Sequence, residues 1–266
     1  MNVIQEEAKV IAVESTNGTM CKLTLATIIG RLASPGQFIM LQPRQSTSIL
    51  RRPFSIYSFS ADQLVLRFQI VGPNTKHYSQ LQPGDQIGIT GPCGQPVNYN
   101  REAQLFILIG GGCGLAALYA LACELKGAGK TIMTLAGFQN KKSAFGILDF
   151  HPLSTILEVA TDDESYGIRG TAVDLLATIL SDDYTSDYGM PSKEIIQVIA
   201  CGPVAMLKSI AALAKGNNLS CLVSLEEMMG CGVGDCLGCA VPTRSGMRHV
   251  CHDGPFFNAS EVYDHE

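Results

Sequence analysis

Over residues 1 to about 98, apolar and polar positions alternate in short stretches: KVIAVES, CKLTLAT, QFIMLQP, RPFSIYSF, QLVLRFQIV and DQIGITG. Turn formers separate them, with Asn17 and Gly18, Pro35 and Gly36, Gly72 and Pro73, and Pro83 and Gly84 at the junctions. A two-residue period with that punctuation predicts strands, and six at close spacing predict a small antiparallel barrel. From about residue 104 the rhythm changes. LFILI, TIMTLAG, TILEVAT and EIIQVIAC remain strand-like, but LAALYALACELK, GTAVDLLATIL and PVAMLKSIAALAK carry helical spacing, so a parallel sheet covered by helices is expected. Near Ser224 both periods end. The remainder is rich in Gly and Cys and is expected to fold around something other than an apolar core. The pattern predicts a multidomain β plus α/β protein in three pieces, 1–100, 101–223 and 224–266, with no internal repeat.

Composition narrows the function classes. The 266 residues carry 19 Lys and Arg against 24 Asp and Glu, a net charge of -5 with no long run of either sign, so nucleic-acid binding is not indicated. The start, MNVIQEEAKV, lacks a basic region followed by an apolar one, and a cytoplasmic location is expected. Residues 105–123, LFILIGGGCGLAALYALAC, approach the length of a membrane span. Gly110, Gly111, Gly112 and Gly114 interrupt that run between a β-rich half and an Ala/Leu-rich half, which predicts a buried strand turning into a helix.

The ten cysteines divide by position. Cys21, Cys93, Cys113, Cys123, Cys201 and Cys221 sit among apolar neighbours and read as small buried hydrophobes. Cys231, Cys236, Cys239 and Cys251 have the spacing C-x4-C-x2-C-x11-C, and a reducing compartment disfavours disulfides there. Zinc sites usually pair ligands in two short C-x2-4-C knuckles, whereas this spacing is the plant-type [2Fe–2S] arrangement. Glycines 230, 232, 234 and 238 between the ligands let the backbone wrap closely. Zinc remains the alternative, and with it a non-catalytic zinc-stabilised binding module. His249 and His252 flank Cys251 as alternative ligands or ordinary surface residues, and the apolar GPFF after it reads as packing under the cluster or anchoring an interface.

Two glycine-containing turns follow strands of the predicted sheet. GGGCG at 110–114 and CGP at 201–203 each stand between a strand and a helix, with Pro203 suited to the first helical turn. Two strand ends of one parallel sheet then face one crevice, the usual place for a dinucleotide. GAGKT at 127–131 is not a P-loop, because Glu124 occupies the position of the first Gly and the segment runs from helix into strand.

The order of barrel, nucleotide sheet and cysteine cluster, with RRPFSIYS at 51–58, SLEEMMGCGVGDCLGCAVPT and HVCHDGPFF, resembles the ferredoxin-NADP reductase superfamily. It resembles more closely the electron-transfer subunit family of the NAD-dependent (type B) dihydroorotate dehydrogenases, over essentially the whole chain. The resemblance implies an FAD-binding barrel, a Rossmann-like sheet for NAD and a small C-terminal [2Fe–2S] domain. In its Arg-x-aromatic-Ser motif, Arg52 would pair with the FAD pyrophosphate, Phe54 beside Pro53 would pack by the isoalloxazine, and Ser55 would approach N5, the one catalytic position. Arg67, Phe68, Gln69, Asn74 and Thr75 match further FAD positions. Gly110, Gly111, Gly112, Gly114, Cys201, Gly202 and Pro203 would bind NAD. Asn74 stands where the family more often has Gly, and Cys113 and Ala116-Ala117 where it usually continues into Pro. The resemblance also implies a partner, an FMN-containing dihydroorotate dehydrogenase catalytic subunit in a heterotetramer, with electrons crossing the cluster and FAD to NAD+ in pyrimidine biosynthesis. Related hydrogenase, sulfur-reductase or transhydrogenase subunits would share these motifs. A preference for NAD over NADP is expected; Lys141 and Lys142, which follow the second sheet strand, read as a solvated surface pair, or alternatively as groups able to reach a 2′-phosphate.

Overall fold

A computed structural model describes residues 2–16, 18–42, 49–181 and 192–264, so Asn17 of the first expected turn lies outside the described residues. The chain divides into two compact units. One comprises Met1–Val97, Glu226–Val241 and Met247–Pro255; the other comprises Asn98–Leu225, Pro242–Gly246 and Phe256–Glu266. The Cys-rich 224–266 segment is thus shared between them.

The first unit is built on a closed six-stranded antiparallel barrel of β1 (Ile4–Thr16), β2 (Met20–Ala26), β3 (Phe38–Gln42), β4 (Arg52–Ser60), β5 (Gln63–Gln69) and β6 (Gln86–Cys93), in the order β1-β2-β5-β4-β3-β6. The 13-residue β1 closes it. Its first half pairs with β6, from Ile4 opposite Gly91 to Lys9 opposite Gln86, and its second half pairs with β2. Alternation decides which side chains fill the interior: Cys21, Leu23 and Leu25 from β2 and Leu64, Leu66 and Phe68 from β5 are buried, with polar neighbours turned outward. Each such aliphatic side chain contributes about 1.5–3 kcal/mol on burial. Burial also pushes the Cys21 thiol up to about 12, with Glu14 adding to the shift, so it acts as a hydrophobe. A short helix α1 (Pro73–Tyr78) follows β5 and delivers Tyr78 to the barrel core.

The second unit is a seven-stranded sheet. Its strands are β7 (Leu105–Gly111), β8 (Thr131–Phe138), β9 (Ile156–Thr161), β10 (Ile168–Arg169), β11 (Ile196–Cys201), β12 (Ser220–Ser224) and a late strand Phe256–Asn258, in the order β10-β9-β8-β7-β11-β12 and then the late strand. All neighbours are parallel except the last pair. Phe256 and Phe257 of the GPFF segment are half-buried in that antiparallel edge strand, opposite Ser224 and Val223. Helices α2 (Tyr119–Gly127), α3 (Ala172–Ile179) and α4 (Val204–Gly216) follow β7, β10 and β11. In α4 the buried positions Leu207, Ile210, Ala211 and Ala214 reproduce the helical period of the sequence. Thr171 caps α3, its hydroxyl accepting from Asp174 N at 3.3 Å while Asp174 accepts from Thr171 N at 2.8 Å.

Residues 105–123 form β7, a 3-10 segment Gly112–Leu118 and the first turn of α2. Among the described residues no helix is long and apolar enough to cross a membrane. The sequence expectation of buried cysteines holds at Cys21, Cys93, Cys201 and Cys221, but Cys113 and Cys123 are exposed and none of the ten is in a disulfide.

Candidate functional site

Strand β4 opens with the Arg-x-aromatic-Ser residues. Arg52 Nη1 donates to the main-chain oxygens of Leu50 at 3.0 Å and Arg51 at 3.2 Å, which orients its guanidinium. Phe54 leans on the barrel core, with its ring centroid 4.9 Å from Phe68 and 5.6 Å from Tyr78, the latter edge-on. Tyr78 is fully buried; its hydroxyl is 3.4 Å from the Leu41 oxygen, and burial raises its pKa to about 12 against the pull of Arg52. Three of the expected flavin positions, Arg52, Phe54 and Phe68, therefore converge on one end of the barrel core around Tyr78. Pro53 and Ser55 face Met40 and Phe38 across the β3 pairing. Arg67 on β5 stacks over Tyr57, 4.3 Å to the ring centroid, and Gln69 is exposed.

At the start of α1 the Thr75 hydroxyl is fully engaged. It accepts from Val71 N at 2.9 Å and Gly72 N at 3.0 Å and donates to Gly72 O at 3.1 Å, so the side chain shapes the turn. Asn74 is the opposite case: its Oδ1 is buried and has no hydrogen-bond partner among the described residues. A buried acceptor left unpaired costs about 1–3 kcal/mol, so the atom suits a donor from a bound group. That orphan, on the helix whose Tyr78 meets Phe54, suits a bound FAD.

In the second unit the expected nucleotide residues meet at the carboxyl ends of β7 and β11. These strands are neighbours, Gly110 opposite Cys201, and the chain leaves β7 toward β8 and β9 but β11 toward β12. That reversal opens the crevice in which open parallel sheets bind dinucleotides. The glycines have different reasons to be there. A Cβ on Gly110 would stand 2.6 Å from Leu115 Cδ1, one on Gly111 2.6 Å from Met206 Sδ, and one on Gly114 would collide with the Cys201 carbonyl. Gly112 instead has φ +55 with open space beside it. Only Gly112 is free of packing constraints; Gly110 makes room for Leu115 of the following segment, Gly111 for Pro203 and Met206 at the start of α4, and Gly114 for the end of β11. The turn enters a 3-10 segment, so the expected direct passage from glycines into an α-helix is replaced by seven tighter residues, and Pro203 is the N-cap of α4 rather than part of its first turn. Gly114→Ala is expected to destabilise this unit by about 1–3 kcal/mol through overpacking, well beyond Gly112→Ala, which meets only backbone strain. Thermal unfolding of both variants checks the order.

The cysteine loop belongs to the barrel unit. A Cβ on Gly232 would overlap Met40 on β3, and Gly232 and Gly234 have φ of +77 and +96, which only glycine adopts easily. Cys231 Sγ accepts from Val233 N and Cys236 N, each at 3.4 Å. Burial raises the Cys231 pKa, but these N–H groups, the Cys236 thiol and Asp235 N outweigh it and bring it down to about 7. Cys251 N donates to Cys239 Sγ at 3.4 Å. Burial, a hydrogen bond with the Cys239 thiol and the Cys239 charge push Cys251 up to about 12. The thiols thus pair, Cys231 with Cys236 and Cys239 with Cys251. Among the described residues no three Cys, His, Asp or Glu side chains converge on a single-ion position. Two thiolate pairs with N–H donors on sulfur suit a [2Fe–2S] cluster, in which each iron takes two thiolates. His249 and His252 turn to Asp253 instead, with Nδ1 3.8 and 3.0 Å from its carboxylate, and His252 is exposed.

The iron–sulfur cluster binding domain of dihydroorotate dehydrogenase B matches residues 226–263. The dihydroorotate dehydrogenase B (NAD+) electron transfer subunit of Listeria welshimeri is 34% identical over 98% of this chain and 99% of that protein. This chain belongs to that family. The corresponding subunit of Caldanaerobacter subterraneus subsp. tengcongensis is 35% identical over 88% of each chain. Among solved structures, an NADH-dependent reduced ferredoxin-NADP oxidoreductase studied for flavin-based electron bifurcation matches with a TM-score of 0.84 and 26% identity, over 96% of this chain and 89% of that one. A Neisseria gonorrhoeae ferredoxin NADP+ reductase with bound FAD and NADP shares the fold, with a TM-score of 0.65 and 15% identity over 79% of this chain and 91% of that one. The electron-transfer subunit family accounts for the barrel, the parallel sheet and the cysteine segment together.

The sequence named Asn74 as a flavin position without showing that its Oδ1 lacks a partner among the described residues, and it did not separate Arg51 from Arg52, whose side chains have different acceptors. For Asn74 the available signal was an Asn where the family more often has Gly, and for the arginines it was their adjacency.

Proposed function

We propose that this chain passes electrons released by dihydroorotate oxidation on a partner subunit through a [2Fe–2S] cluster and FAD to NAD+, in pyrimidine biosynthesis. The observation that carries the reading is the two thiol pairs, Cys231 with Cys236 and Cys239 with Cys251, in the same compact unit as the Arg52–Ser55 strand. Nicotinamide exchanges a hydride, two electrons at once, a [2Fe–2S] cluster carries one, and a flavin converts between the two.

The chain's own residues bind and orient these groups. Cys231 and Cys236 would hold one iron, and Cys239 and Cys251 the other. Arg52, anchored by two main-chain oxygens, would pair with the FAD pyrophosphate. Phe54, supported from behind by Phe68 and Tyr78, would pack by the isoalloxazine, with the Ser55 hydroxyl near N5. Arg67, Gln69 and Asn74 would complete the cradle, Asn74 Oδ1 offering the acceptor, and Thr75, whose hydroxyl is spent within the chain, would hold the turn that presents them. The turn at Gly110, Gly111, Gly112 and Gly114, with Cys201, Gly202 and Pro203, would receive NAD. The test is an anaerobic visible spectrum with flavin, iron and labile-sulfide analysis: a yellow-brown protein is expected, and a colourless, zinc-containing one contradicts the reading.

The expected nicotinamide preference is NAD over NADP, in keeping with relatives named dihydroorotate dehydrogenase B (NAD+) electron transfer subunits. Lys141 N donates to Ser165 Oγ at 2.7 Å, and Ser165 is held by Asp163, tying the lysine turn to the loop carrying Asp162, Asp163 and Glu164. Diaphorase kcat/KM is expected to be at least about tenfold higher for NADH than NADPH, about 1.4 kcal/mol in transition-state binding; a higher value for NADPH overturns this.

The partner is an FMN-containing dihydroorotate dehydrogenase catalytic subunit, two copies of each chain forming a heterotetramer in the cytoplasm. The 0.84 TM-score to the reduced ferredoxin-NADP oxidoreductase favours a second reading, a related reductase subunit with a different donor. Co-expression and size-exclusion chromatography with the two kinds of partner separate them.

A further inference from the structure

The two arginines that open β4 serve different surroundings. Arg52 is felt by Tyr78, whereas Arg51 is felt by Cys93, a buried thiol on β6 that also feels the Cys231 sulfur. Adjacent residues of an extended chain point to opposite sides, which accounts for the division. Arg51 Nη1 donates to Thr90 Oγ1 and Nη2 donates to Gln42 Oε1 at 2.8 Å. Both acceptors are neutral, so these bonds fix the guanidinium without cancelling its charge. Arg51 and Thr90 line a cavity of about 490 Å³ together with Ile4, Leu50, Cys231 and Val233. The half-buried Arg51 thus presents a fixed cation to the same partly apolar space as a cluster cysteine.

We propose that Arg51 is an electrostatic positioning residue that raises the reduction potential of the [2Fe–2S] cluster, its guanidinium held on Thr90 and Gln42 at the wall of the cavity that Cys231 lines. The inference rests on the cluster reading above. Reduction adds one electron to the cluster and no bond changes, so a nearby fixed cation favours the reduced form, and more strongly where apolar walls exclude water. The same charge therefore makes the cluster a better acceptor for electrons arriving from the partner subunit. No part of this role requires Arg51 to touch the cluster or the flavin.

The test is an EPR-monitored redox titration of the holoprotein in its complex, comparing wild type with Arg51→Gln, Arg51→Lys and Gln42→Glu. Arg51→Gln is expected to lower the equilibrium constant for cluster reduction about tenfold, a negative shift of about 59 mV for a one-electron couple. Arg51→Lys keeps the charge and should stay close to wild type. Gln42→Glu keeps Arg51 but sets a carboxylate on Nη2, and should shift the potential in the same direction as Arg51→Gln, which keeps the proposal testable if Arg51→Gln fails to fold. Potentials unchanged in both Arg51→Gln and Gln42→Glu overturn the proposal, and so do equal shifts in Arg51→Gln and Arg51→Lys, which would mark a packing role. A wild-type protein without iron or a cluster signal overturns the cluster reading itself, and iron analysis tells that failure from the others.

Discussion

Cys236→Ser is expected to lose nearly all iron and labile sulfide while keeping FAD. Cys236 is exposed, its thiol bonds with Cys231, and its N–H donates to Cys231 Sγ at 3.4 Å. Serine leaves that N–H in place but replaces a soft thiolate by a hydroxyl that stays protonated near neutral pH, so one iron is left with a single protein sulfur. The barrel core is built from residues that Cys236 does not touch, including Leu23, Leu25, Leu64 and Leu66, so the flavin cradle should survive. A drop of at least about tenfold in iron per FAD is the expected size, because ligand loss removes much of a binding energy coupled to folding. NADH-driven reduction of a flavin-reactive dye should persist, while electron delivery from a partner subunit should stop. Full iron content in this variant would remove Cys236 from the ligand set.

Arg52→Ala is expected to have the opposite effect, weakening FAD retention about 10- to 150-fold with iron nearly unchanged. A charge-assisted hydrogen bond contributes about 1.5–3 kcal/mol, which sets that range. The guanidinium reaches its place because Nη1 is fixed on the Leu50 and Arg51 carbonyl oxygens, a geometry that alanine cannot offer and lysine reproduces only in part. The cysteine loop is held by other contacts, Gly232 on Met40, and Gln95 Nε2 donating to the His252 oxygen at 2.8 Å. Equilibrium dialysis against free FAD with parallel iron analysis measures both arms. Loss of iron with retention of flavin would reverse the assignment of the two sites.

What the sequence made legible is what simple periods encode. The alternation in CKLTLAT and QLVLRFQIV survives as the buried Cys21, Leu23, Leu25 and Leu64, Leu66, Phe68 rows, because each strand has one face in the barrel. Cysteine spacing was equally direct, since thiolate ligands must be close in sequence to share a loop. Glycines were ambiguous: Gly110, Gly111 and Gly114 are required by close contacts with Leu115, Met206 and the Cys201 carbonyl and only Gly112 by conformation, and no local pattern separates those causes. The short edge strand Phe256–Asn258 was hidden because its stability comes from pairing with Ser220–Ser224, more than thirty residues earlier. Cys113 and Cys123, set among apolar neighbours, lie at the surface because a helical segment has an outer face whatever its average composition. Arg51 and Arg52 look alike in sequence; only their acceptors, neutral side-chain oxygens for one and main-chain oxygens for the other, tell them apart.

The most direct measurement is anaerobic NAD+ reduction by dihydroorotate, using this chain co-purified with the cognate FMN-containing catalytic subunit. NADH formation that needs both chains, and that disappears when Cys236→Ser replaces the wild-type chain, is the predicted result. A co-purified complex with full flavin and iron content that oxidises dihydroorotate yet forms no NADH would contradict the proposed route.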